Sequence, residues 1–171
     1  EGPVKKTAHD KVLENGDTIK DIIKLDREIR DYSNEVGIVM MGYISNLYKY
    51  PITEFVKDVD NAGADACLVV DAPHELKEEN ILREELNKKG LSLIKLVAPT
   101  TDDNRLQDII KISSGFLYQV NVDGVTGVKS ANETEVESFV KRIQGITKIP
   151  ICSGFGIKSP KDALKIAKTG C

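Results

Sequence analysis

Two short glycine-rich stretches carry the clearest chemical signal in this chain, GVTG at 124–127 and SGFG at 153–156. Each follows a strand-like apolar run, GFLYQV at 115–120 and IPIC at 149–152. Glycine there lets backbone N–H groups face an anion with no Cβ in the way, which suits a phosphate. One such loop is as readily a tight turn between strand and helix; two after neighbouring strands favour phosphate. Tyr43 and Tyr118 sit near the ends of apolar runs, as core aromatics or as substrate contacts. Thr126 taken alone reads as a turn residue. Metal chemistry finds no pattern: Cys67, Cys152 and Cys171 are far apart without a CxxC, and His9 and His74 read as solvent-facing. Cys67 in DACLVVD and Cys152 in IPICSG lie in apolar runs and are expected to be buried free thiols.

The elements that must position these residues alternate regularly. Helices are expected over 3–16, 17–31, 51–64, 75–90, 105–113, 132–146 and 159–170, and strands over 37–43, 66–71, 91–99, 115–120 and 149–156. Gly16 and Gly63 close helices, Asp17 and Asp102 or Asp103 cap the starts of others, and prolines open two more. The strands are continuous apolar runs, the mark of a parallel sheet covered by helices. Polar and glycine-rich residues gather after the strands, where such folds build their sites. No GxGxxG follows a first strand, so a (β/α)8 TIM barrel is favoured over a dinucleotide-binding sheet. About five strands do not close a barrel, so the expectation is one incomplete barrel domain over 1–171.

Composition excludes several classes. With 24 Lys and Arg against 27 Asp and Glu, the formal net charge is -3, which argues against binding nucleic acid through a basic surface. No apolar run is long enough to cross a bilayer, and no signal peptide opens the chain. An odd cysteine count without such a signal fits a reducing compartment, cytoplasm or plastid stroma.

The segments GYISNLYKY, VVDAPHEL, LVAPTTDDNRLQDI, SGFLYQVNVDGVTG and ICSGFGIKSP, in this order, resemble the family of tryptophan synthase alpha subunits and plant indole-3-glycerol phosphate lyases. The resemblance implies a TIM barrel that cleaves indole-3-glycerol phosphate to indole and glyceraldehyde 3-phosphate with no metal or organic cofactor, and a beta subunit as partner. It also implies site residues. Glu1 stands where the family's aspartate contacts the indole nitrogen. Met41 and Tyr43 match the strand beside the glycerol phosphate chain, and Tyr118 matches an active-site tyrosine. Thr126 matches a mobile-loop threonine, while Gly127, Phe155 and Gly156 match the phosphate-binding backbone. Asp71 matches an acidic residue linked to communication with the beta subunit.

Departures set the limits of that expectation. The family's other carboxylate and first strands precede the EGP motif, and its last strand and second phosphate loop follow the position of AKTGC. Glu1 in place of Asp adds a methylene, about 1.5 Å of reach. Ser45-Asn46, Tyr50-Pro51 and Val70 replace the usual NP, YG and proline. These 171 residues alone are therefore expected to be inactive, with lyase activity in a longer parent. The rival expectations are a non-catalytic remnant that binds a partner, and a barrel acting on another sugar phosphate.

Overall fold

In the computed structural model, residues 3–73, 75–120, 133–154, 157 and 159–171 are described. They fall into two compact units, one of Leu13–Lys95 and one of Leu96–Cys171 with the N-terminal residues through Val12. Five strands follow one another in the sheet order β1-β2-β3-β4-β5, and the registers seen are parallel. Helices intervene throughout, so the expected alternation of strand and helix holds.

Helix α1 spans Pro3–Asn15 and ends at Gly16, whose φ of +78° is readily adopted only without a side chain. Helix α2 spans Ile19–Tyr32, and its cap is Thr18 rather than the expected Asp17. The reason lies in the first turn: the Asp21 carboxylate reaches back to accept the Thr18 N–H at 2.8 Å and its hydroxyl at 2.6 Å. Strand β1 (Val39–Gly42) then pairs with β2 (Ala66–Val69), and β2 with β3 (Ser92–Val97). A short 3-10 helix at Ile44–Leu47, not expected from sequence, follows β1. Helices α3 (Ile52–Ala62) and α4 (Lys77–Lys88) pack on one face of these strands.

That packed face forms the first core. Cys67, Val69 and Leu93 from the strands meet Phe55, Val56 and Val59 of α3 and Leu82 and Leu86 of α4. Full burial of each such leucine contributes about 1.5–3 kcal/mol relative to exposure. Gly63 ends α3 in the left-handed region at φ +86°, and a Cβ there would come 2.7 Å from Arg30 Cγ. Arg30 uses that room: Nε donates to the Gly63 carbonyl at 2.9 Å and Nη2 to Asp65 at 2.8 Å. Asp65 also accepts the Ile38 N–H at 2.7 Å, which ties the start of β1 to the start of β2.

The second unit holds β4 (Leu117–Gln119), β5 (Ile151–Ser153) and helices α5 (Asp103–Ile112), α6 (Glu133–Gln144) and α7 (Pro160–Ala167). Its core joins Leu106, Leu117, Val136, Phe139, Val140, Ile143, Ile151 and Ile166. Asp102 caps α5, accepting the Arg105 N–H at 3.0 Å, and Ser159 caps α7 ahead of Pro160. The Leu117 N–H donates to the Pro150 carbonyl at 2.8 Å, and the Val120 N–H donates to the Val97 carbonyl at 2.9 Å. The first bond lies at the start of β4 and the second just past its end, and between them they fix where Tyr118 stands.

Candidate active site

Site chemistry at the strand ends depends on which side chains turn away from the helices. In β1, Met40 packs into the helix-side core, so Met41 belongs to the opposite face, where it is 49% exposed. Met41 is in register with Leu68 of β2, and Leu68 with Ile94 of β3. The backbone at Tyr43 is extended, with φ -100° and ψ 150°, so its half-buried side chain continues the Met41 face. Asp71, exposed in the loop after β2, accepts the Ile44 N–H at 2.7 Å through Oδ1. The first unit thus brings Met41, Tyr43 and Asp71 to neighbouring strand ends.

In the second unit, Leu117 and Gln119 are fully buried, and Tyr118 between them is half-buried on the other face. It is in register with Cys152 of β5. Burial, and secondarily the nearby Cys152, raise the Tyr118 hydroxyl above its ordinary pKa, so it is a protonated hydrogen-bonding group at neutral pH. Its ring lies against Gly154. A Cβ on that glycine would meet the Tyr118 Oη at 1.8 Å and Cζ at 2.3 Å. The first glycine of SGFG is therefore required by the tyrosine's close approach, a reason separate from anion binding.

Glu1, Thr126, Gly127, Phe155 and Gly156, and His74 also, lie outside the described residues. His9 is exposed as expected. Cys67 is buried as expected, and burial, then the neighbouring Asp26, push its thiol pKa up to about 12. Cys152 departs from expectation: it is exposed, because it shares the face of Tyr118 rather than that of the helices. Among the described residues, no group of three His, Cys, Asp or Glu could hold a metal ion.

Sequence reasoning passed over two polar arrangements. Arg142 on α6 grips the loop after β3, donating to Asp103 Oδ1 through Nε at 2.9 Å and to the Thr101 carbonyl through Nη2 at 2.8 Å. A cleft of about 370 Å³ beside it, lined by Pro99, Thr134, Glu135, Ser138, Phe139 and Arg142, holds none of the expected site residues. The other is a buried ion pair of Lys95 and Glu79, 3.1 Å apart. A lysine in the middle of the apolar run SLIKLV was the available signal.

Comparison with known proteins decides the lineage. A family model described as "Tryptophan synthase alpha chain" matches residues 1–170. The chain belongs to the tryptophan synthase alpha chain family. A curated tryptophan synthase alpha chain from Phenylobacterium zucineum is 37% identical over 168 residues, 98% of this chain and 60% of the relative. The chain thus spans about 60% of the length of the curated relative it matches. Among solved structures, the alpha subunit from Legionella pneumophila aligns at TM-score 0.87 and 29% identity, over 99% of this chain and 62% of its own. A chain of the tryptophan synthase complex from Pyrococcus furiosus aligns at TM-score 0.84 and 25% identity, over 99% and 66%. The parallel strand–helix succession described above is that of these alpha-chain TIM barrels, as the sequence led us to expect.

Proposed function

We propose that the protein carrying this chain cleaves indole-3-glycerol phosphate to indole and glyceraldehyde 3-phosphate, as an alpha chain working with a tryptophan synthase beta subunit. The observation that carries the reading is the family match over residues 1–170, with Tyr43, Asp71 and Tyr118 at strand ends.

The reaction is a retro-aldol cleavage, and it balances without water or redox. A proton added at indole C3 places positive charge on the ring nitrogen. The C–C bond to the glycerol chain then breaks, and its electron pair returns to the ring and neutralises that charge. The chain hydroxyl loses its proton and becomes the aldehyde carbonyl. Glu1 would receive the indole N–H in a charge-assisted hydrogen bond, strongest when the ring is cationic. Gly127, Phe155 and Gly156 would hold the phosphate through backbone N–H groups, Thr126 would close with its loop, and Met41, Tyr43 and Tyr118 would line the glycerol and ring. Asp71 would report occupancy to the beta subunit. A carboxyl whose pKa is raised in a largely apolar pocket would move the two protons. No metal or organic cofactor is needed for this chemistry, and a soluble compartment, cytoplasm or plastid stroma, suits it. Among the described residues no helix is long and apolar enough to cross a membrane.

The test is indole formation from indole-3-glycerol phosphate by the full-length natural protein, with and without a beta subunit. Indole release that falls at least about a hundredfold on Glu1→Gln, which removes the charge facing the indole N–H, supports the reading. A protein that binds the beta subunit but releases no indole would replace it with a non-catalytic partner role.

A further inference from the structure

We propose that Lys95, anchored by Glu79, is a positioning residue that holds the loop carrying Asp71 and, through it, the backbone beside Tyr43. This rests on the reading of Asp71 and Tyr43 as site residues given above.

Lys95 lies inside β3 and is only 5% exposed, on the helix-facing side with Leu93. Lysine is almost never buried without a partner. Its Nζ lies 3.1 Å from Glu79 Oε1 on α4 and donates to the Ala72 carbonyl at 3.0 Å. Glu79 is 1% exposed, and among the described residues neither of its oxygens makes a hydrogen bond. Its contact with Lys95 is thus an ion pair without hydrogen-bond alignment, which leaves the charge on Lys95 as its evident role. A buried ion pair is a poor device for stability alone, since apolar residues of similar volume often do as well. What an apolar residue at 95 cannot do is donate to the Ala72 carbonyl.

That carbonyl sits at a useful place. Ala72 is 9% exposed, so little water reaches it, and it adjoins Asp71. Asp71 accepts the Ile44 N–H at 2.7 Å, and Ile44 directly follows Tyr43. The contacts run unbroken from Glu79 to Lys95, to the Ala72–Asp71 backbone, to Ile44 and Tyr43, all within one compact unit. Both strand-end residues are therefore held from the helix side of the sheet.

The deciding measurement is amide hydrogen exchange of Ile44, read by NMR in the wild-type protein and in Lys95→Met/Glu79→Leu. The double change removes both charges, so neither is left buried alone. Asp71→Ala sets the level reached when the Ile44 acceptor is gone. The expected result is a thermal midpoint within about 10 °C of wild type, with Ile44 exchange accelerated about tenfold or more towards the Asp71→Ala level. Lys95→Arg, which keeps a cation and donors, should stay nearer to wild type. A double variant whose Ile44 exchange is unchanged overturns the proposal. So does a midpoint lowered by more than about 10 °C, which would make the pair an element of stability. Stimulation of indole release by the beta subunit should fall along with Ile44 protection. A wild-type protein that releases no indole removes the functional reading and leaves the exchange result to decide this one.

Discussion

Gly154→Ala is the smallest change that should disturb the candidate site. The added methyl would lie 1.8 Å from the Tyr118 Oη, 2.3 Å from Cζ and 2.7 Å from Cε2. Non-bonded carbon and oxygen atoms settle near 3.5 Å or beyond, so the hydroxyl must retreat by roughly 1.5 Å or more. Gly154 lies at the end of a paired strand and cannot easily yield, whereas Tyr118 is only half-buried and can swing. Overpacking should therefore cost about 1 kcal/mol, the low end of its usual range. The loss at the site should be larger, because a misplacement of about 1 Å at a reacting centre can cost a hundredfold. We expect glycerol 3-phosphate, titrated by calorimetry, to bind about tenfold or more weakly, while urea unfolding shows a loss of only about 1 kcal/mol. The control is a double-mutant cycle: in a Tyr118→Ala background, Gly154→Ala should have almost no effect on stability. Equal effects in both backgrounds, or unaltered binding in the single variant, would refute the packing of Tyr118 on Gly154.

Arg142→Met should cost about 1 kcal/mol, since it takes the charged donor away from the half-buried Thr101 carbonyl. Asp103→Asn should cost under about 0.5 kcal/mol, because the Asp103 carboxylate is 72% exposed and water can replace its partner; urea midpoints separate the two. Asp26 is 6% exposed and burial raises its pKa above the unfolded 3.8, so the folded state holds its proton more tightly than the unfolded chain does. Its contribution is most favourable below pH 3.8 and declines as pH rises through the folded value, so Asp26→Asn should raise the thermal midpoint at pH 7 relative to pH 4. Cys152 should react with iodoacetamide in the native protein, whereas Cys67, with its pKa near 12, should react only after unfolding. Mass spectrometry of the labelled peptides checks the order.

Local chemistry made much of this fold legible. Gly16 and Gly63 end helices because the left-handed turn excludes most side chains, and Asp102 and Ser159 begin them because their oxygens accept free N–H groups. The apolar strand runs announced a parallel sheet, since both faces had to be covered. Thr18 and Asp17 are both good caps, and only the reach of Asp21 chose between them. Where an interaction lies within one turn, residue type and spacing narrow it to a few candidates, and the reach of a neighbouring side chain picks among them.

The tertiary structure decided everything that depends on register between distant segments. The run ICS has no alternation to say which face Cys152 takes; pairing with β4 placed it beside Tyr118. Gly154 reads as a turn or a phosphate contact until the Tyr118 ring is found against its α-carbon. Lys95 and Glu79 look like a misplaced charge in a strand and one of many acids on a helix, until packing closes water out around both. Backbone preferences act over a few residues and are written in the local sequence. Burial, and with it the cost of an unpaired charge, exists only once the layers have come together.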